Sequence, residues 1–327
     1  MTGQTIARAR LLAPGLLLAL TVALAATFIS EHYNAPVMLM ALLIGIAFHF
    51  LWEEGPCTAG VDFAARTLLR LGVGLLGMRI TFEQIVAIGV GPLVLILICV
   101  PATIGVGLLL ARLMGKHPGF GMVAGGAVAI CGASAALAIS AVMPDREGKE
   151  EDTLFTVIAV TGLSTLAMIL YPAIFAALGF DDRHIGIMLG ATIHDVAQVV
   201  GAGYAVSDEA GDTATFVKLV RVALLPLAIL AIALSGKGRA TGGGSPLPWF
   251  VVLFAVLAVV ASLGLVPAPV VAGVSELSRW LLVIAISALG VKTSLGQMAR
   301  LGGGHIGLVV GATLFLALLA LGLSVLI

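Results

Sequence analysis

Apolar runs closed by charged residues or by Gly and Pro divide the chain into eleven segments of roughly membrane-spanning length: 11–30, 35–51, 64–80, 85–113, 120–143, 153–178, 185–206, 215–235, 249–266, 277–291 and 305–327. A helix needs about 20 apolar residues to cross the hydrocarbon layer, and the punctuation between the runs reads as loops. The pattern predicts an all-α polytopic membrane protein of about eleven transmembrane helices. Only the acidic stretch PDREGKEED (144–152) and the linker GKGRATGGGSP (236–246) are plainly hydrophilic, and neither is long enough for a domain. One domain, 1–327, is expected, and it lies in the bilayer. The first run follows MTGQTIARAR in the manner of a secretory leader, but it is too long for one and is expected to remain as the first helix.

Composition agrees with the pattern. Hydrophobic types make up 60% of the 327 residues and charged types 10%, against about 25% charged in a soluble domain. So little polar material cannot cover a water-facing surface. Basic and acidic residues number 17 each and no basic run occurs, which removes the electrostatic case for nucleic acid as partner. Cys57, Cys99 and Cys131 stand singly, without metal spacing or a paired framework, so neither metal nor cofactor is expected. HExxH, GxSxG and Walker patterns are missing. Cys131, His194 and Asp195 make a poor nucleophile–base set, because adjacent His and Asp project in different directions on a helix. No enzyme is expected.

Orientation follows from Lys and Arg. With the N-terminus inside and eleven crossings, ten of the 17 basic residues fall on the inner side, and Arg79, Arg146 and Lys149 fall on the outer side. Arg70, Lys218, Arg221 and Arg279 stay within spans or at their edges. The bias predicts a cytoplasmic N-terminus. LGMRITFEQIVAIGVG (76–91) resembles LGVKTSLGQMARLGGG (289–304), and the two run in opposite directions, as inverted repeats require.

Polar groups inside apolar segments mark the candidate site, because an ionisable group in hydrocarbon needs a cavity or a partner. Asp195 is the one carboxylate near the middle of an apolar run, beside His194 and with Gln198 a turn further on. The Gly201-Ala202-Gly203 stretch after them can loosen a helix. Lys218 and Arg221 share one helical face and approach Asp195 if the intervening hairpin is tight, either as its partners or as a receptor for an anion. The Gly- and Ala-rich run 119–140 allows a broken helix at CGAS (131–134). A half-helix N-terminus there would aim free N–H groups at an anion, with Cys131 and Gly132 at the break and the Ser134 hydroxyl as a donor. If the cations hold Asp195 ionised, His194 is the group left to carry a coupling proton, with Gln198 orienting it.

GGAVAICGASAALAISAVMP (125–144), GATIHDVAQVVGAG (190–203) with the KLVR stretch after it, and LLRLGVGLLGMRIT (68–81) resemble the YeiH-type family of sulfate exporters, from about residue 35 to the C-terminus. The resemblance implies a multi-pass protein of the bacterial inner membrane. It places the chain near the bile acid/arsenite/riboflavin transporter superfamily, which implies inverted five-helix repeats with two broken, crossed helices. One extra N-terminal helix then precedes repeats at 34–178 and 184–327. Under that scheme the broken helices are 120–143 and 277–291, the second bringing Gly290, Lys292, Thr293 and Ser294 to the site.

With no ATP-binding motif in the chain, the expected function is secondary transport of a small anion. Export of sulfate, sulfite or a small organosulfonate is the first reading, and a cation/proton antiporter using Asp195 or a passive anion channel are the alternatives. A coupling proton or sodium ion, the lipid bilayer and a second copy in a homodimer are the expected partners.

Overall fold

The computed structural model describes residues 2–324 apart from 34, 54, 80–82, 84, 85, 87, 233–247, 265 and 294–302. Every regular element among the described residues is helical. Among the described residues six helices are long and apolar enough to cross a membrane: Ala7–Tyr33, Gly91–Leu113, Lys149–Ala177, Asp208–Ile232, Ala268–Lys292 and His305–Ser324. Shorter apolar helices fill the rest, so the all-α polytopic expectation holds. Leu17, Leu24, Leu97, Leu170, Leu227 and Leu318 are among the large apolar side chains left exposed, as suits a protein whose solvent is lipid.

The chain folds as two compact units that interleave in sequence. The first comprises Met1–Ala87, Tyr204–Asp208 and Trp249–Ser294. Its helices meet backbone to backbone through glycine. A Cβ on Gly45 would lie 2.4 Å from the Ser287 carbonyl, and one on Gly290 would lie 2.3 Å from the Leu42 carbonyl. Such approaches are how helices associate where lipid removes the hydrophobic drive. Ala268–Lys292 is one continuous helix of 25 residues. Within 277–291 there is no break, because Gly290 serves close packing and the helix runs on to Lys292; Ser294, the far end of the expected break, lies outside the described residues.

The second unit comprises Ile88–Gly203, Glu209–Pro248 and Leu295–Ile327, and it contains both broken helices. The first break separates Pro118–Ala129 from Ala133–Val142, where it was expected. The second separates Asp182–Thr192 from Val196–Val206. Each break also reverses the chain. A Cβ on Gly126 would sit 2.2 Å from Ile139 Cδ1, although one unbroken helix would hold the two about 20 Å apart. At the open end of this hairpin, a Cβ on Gly119 would lie 3.0 Å from Arg146 Nε. In the second hairpin, Cβ atoms on Gly186 and on Gly203 would both fall within about van der Waals distance of Ala210, which one straight helix cannot do. Segments 120–143 and 185–206 are thus helical hairpins rather than single crossings.

Arm lengths agree with this reading. At 1.5 Å per residue, arms of 10 to 12 residues reach roughly half of a 30 Å hydrocarbon layer. Lys149–Ala177 joins the two hairpins and shows how they are opposed. Thr153, near its start, gives its proton to the Lys149 carbonyl at 2.7 Å and accepts from Ser140 at 2.8 Å, close to the open end of the first hairpin. Asp182, just after its end, opens the second. The carboxylate of Asp181 caps that second hairpin and accepts the His184 backbone N–H at 2.7 Å. This bond, with a second from the His184 imidazole at 2.8 Å, holds its carboxyl below the usual carboxylate range.

Candidate functional site

Both hairpin tips lie beside the middle of Lys149–Ala177. The Asp195 N–H donates to Ser164 Oγ at 3.1 Å, and the Gln198 amide donates to Thr165 at 3.4 Å. The tips also meet each other, since a Cβ on Gly132 would stand 3.6 Å from His194. Gly132 has φ of 62° and ψ of −128°, a region closed to side chains with a Cβ. Glycine is therefore required for the first reversal, whereas at the second the chain turns on Ile193, His194 and Asp195.

Helix Asp208–Ala223 brings two cations to this meeting point. Lys218 is 0% exposed and Arg221 2%. The Lys218 ammonium donates to the Ile130 carbonyl at 2.7 Å and to the Ile193 carbonyl at 2.9 Å. Arg221 donates from Nε to Ala129, from Nη1 to Gly190 and Ile193, and from Nη2 to Val128 and Ala129, at 2.7–3.0 Å. These bonds use all five guanidinium donors. Helix C-termini leave their last carbonyls without intrahelical partners and carry a partial negative charge. Here the C-terminal ends of both first arms converge, and Lys218 and Arg221 satisfy them. Arg221 is a clamp between the hairpins and has no donor left for an anion or for the Asp195 carboxylate, which removes both roles open to it from sequence.

The neighbouring groups are held as well. The Thr313 hydroxyl donates to the Val309 carbonyl at 2.8 Å, so His194 Nε2 is the donor in its 3.0 Å bond to Thr313. His194 Nδ1 and Gln198 Oε1 are buried with no hydrogen-bond partner among the described residues. Gln198 turns to Thr165 and not to His194, because His194 lies in the turn of the break and Gln198 on the arm after it. Asp195 Oδ1 accepts the Ala197 N–H at 3.2 Å, as a residue capping a helix start does.

Of the residues expected at the site, Cys131, Gly132, His194, Asp195, Gln198, Lys218 and Arg221 come together at the tips. Ser134 lies on the first turn of Ala133–Val142 and is exposed. Gly290, Lys292 and Thr293 belong to the other unit. There Lys292 bonds Asp62 at 2.6 Å and Thr293 donates to the Leu289 carbonyl within its own helix. Ser294 lies outside the described residues. Sequence reasoning missed Ser164, Thr165 and Thr313. Hydroxyls in apolar helices usually bond back to their own helix, as Thr165 and Thr313 also do here, so only the fold shows that they reach a hairpin tip. Among the described residues no group of three His, Cys, Asp or Glu could hold a metal ion.

Residues 14–309 match the family model described as conserved hypothetical protein 698. The UPF0324 membrane protein TauZ of Paracoccus denitrificans is 51% identical over 321 residues, 96% of this chain and 95% of its own. A UPF0324 membrane protein of Chlorobaculum tepidum is 50% identical over 315 residues, covering 94% and 88% of the two chains. One from Rhizobium meliloti is 51% identical over 314 residues, covering 94% and 91%. No solved structure matches the chain.

Proposed function

We propose, from the premise that the chain belongs to the UPF0324 family of membrane proteins, that it is a secondary transporter of a small anion: sulfate, sulfite or a small organosulfonate. The observation that carries this reading is the burial of Lys218 and Arg221 where two hairpin tips meet. Their polar partners are carbonyl dipoles, which offset a full charge only in part. With Asp195 ionised, the three side chains carry a formal charge of about +1 at the tips. Helix Ala133–Val142 starts at this point without a side-chain cap, so its first N–H groups face the same place. The anion is assigned to that helix start, with Gly132 and Ser134 at its side and Lys218 behind. Arg221, His194 and Gln198 hold the tips in place around it.

The hairpins also sharpen the orientation. If both are re-entrant, Arg146 and Lys149 move to the side of the N-terminus and Arg183 moves to the other. The basic residues then divide eleven to two, the remaining four of 17 lying within helices. That bias supports a cytoplasmic N-terminus in a bacterial inner membrane. Under this reading the two hairpins enter from opposite sides of the membrane, 118–142 from that of the N-terminus and 182–206 from the other.

Efflux of labelled sulfate, sulfite and a small alkanesulfonate from proteoliposomes tests the function. The expected result is flux that needs the protein, saturates with substrate and differs among the three anions. Equal rates for all three and for a carboxylate would remove the substrate assignment, and flux that never saturates would make the protein a channel.

A further inference from the structure

Lys218 stands where a transporter of this construction would hold a free cation. Broken helices coordinate a monovalent ion through unwound carbonyls and half-helix C-terminal ends. Here the carbonyls in question are those of Ile130 and Ile193, each the first residue past the end of a first arm. Neither is left open, because one ammonium bridges the two at 2.7 and 2.9 Å. That ammonium comes from a third helix and is wholly buried. Arg221 takes the next carbonyls back, those of Ala129, Val128 and Gly190, and shares that of Ile193 with the ammonium on its second lone pair. An ammonium is a compact point charge with three donors, so it can stand in for a small cation among oxygen ligands.

We propose that Lys218 is a built-in replacement for a coupling sodium ion: it fills a monovalent-cation site formed by the two hairpin ends, and the protein works without sodium there. The part concerning coupling rests on the transport reading above, whereas the part concerning the cation site does not. Removing the side chain should uncover the site. Lys218→Ser leaves two convergent carbonyls and room for an ion, whereas Lys218→Met fills the room with a chain that carries no charge.

The experiment compares thermal unfolding of the purified wild type, Lys218→Ser and Lys218→Met in sodium, ammonium and choline chloride at equal ionic strength. The wild type should melt at one temperature in all three salts. Lys218→Ser should melt lower in choline and rise by about 3 °C or more in sodium or ammonium, the scale that mass action gives for a saturating ligand. Lys218→Met should respond to neither. A folded Lys218→Ser that ignores every cation, or a Lys218→Met that responds as Lys218→Ser does, overturns the proposal. If Lys218→Ser does not fold in any salt, the wild type decides: a sodium-dependent rise in its melting temperature or in its anion flux overturns the proposal, and indifference supports it. A wild type without anion flux in any salt refutes the transport reading and leaves the unfolding comparison intact.

Discussion

Arg221→Met should remove about 3–5 kcal/mol from the stability of the unit that carries the hairpins. The guanidinium satisfies carbonyls on Val128, Ala129, Gly190 and Ile193, and so ties the first arm of one hairpin to that of the other. Methionine fills similar space but leaves these acceptors in a dry interior, and each unsatisfied buried group costs about 1–3 kcal/mol. Lys218 still reaches Ile193, so the total falls near the 3–5 kcal/mol found when one partner of a buried ionic contact is removed. Against a typical stability of about 5–15 kcal/mol, that is a large loss. Arg221→Lys keeps the charge but replaces five fixed donors with three on a flexible stem, and it should recover less than half of the difference. Thermal unfolding in detergent measures both. If Arg221→Lys melts with the wild type, charge alone matters and the clamp is wrongly described.

Gly107→Leu should be almost as damaging, and Gly105→Leu should be harmless. Both glycines lie in Gly91–Leu113. A Cβ on Gly107 would come 2.6 Å from Gly125 Cα and 2.7 Å from the Gly121 carbonyl, all backbone of the first hairpin, whereas one on Gly105 meets nothing within 4 Å. Overpacking usually costs about 1–3 kcal/mol and more when nothing can yield. Here the obstacle is main chain, so a loss of about 3 kcal/mol or more is expected, together with loss of anion flux as the first tip is pushed away from His194 and Lys218. The pair of variants controls for helix propensity, because the same substitution is made two residues apart. Equal melting temperatures for the two would show that the hairpin does not pack on this helix as described.

The apolar segments were legible because hydrocarbon demands them, and Lys218, Arg221 and Asp195 were legible because charge inside such a segment has few innocent explanations. Chain reversal was not. The run 119–140 has the length of a crossing, and nothing in its Gly and Ala content distinguishes a packed span from two arms folded together. What decides between them is the backbone at Gly132 and the carbonyls held by Arg221, and carbonyls have no signature in a sequence. The second break was expected in 277–291 for a related reason. The resemblance supplied a repeat scheme that put Gly290 beside a break, yet Gly290 is a contact point for Gly45 and Leu42. In 182–206 the useful sign was present as Asp195, a residue type that caps helix starts, placed in the middle of an apolar run.

Two opposed hairpins meeting at Lys218 are the centre of this account, and the side from which each hairpin enters can be measured. With Cys57, Cys99 and Cys131 replaced, single cysteines at the half-buried Lys116 and at the exposed Glu147, Asp182 and Glu209 are labelled with a membrane-impermeant maleimide. Labelling is done in inside-out and in right-side-out vesicles. Lys116→Cys and Glu147→Cys, at the two ends of the first hairpin, should label from the cytoplasmic side. Asp182→Cys and Glu209→Cys, at the ends of the second, should label from the opposite side. Labelling of Lys116→Cys and Glu147→Cys from different sides would mean that 118–142 crosses the membrane, and it would contradict the hairpins and the site built on their tips.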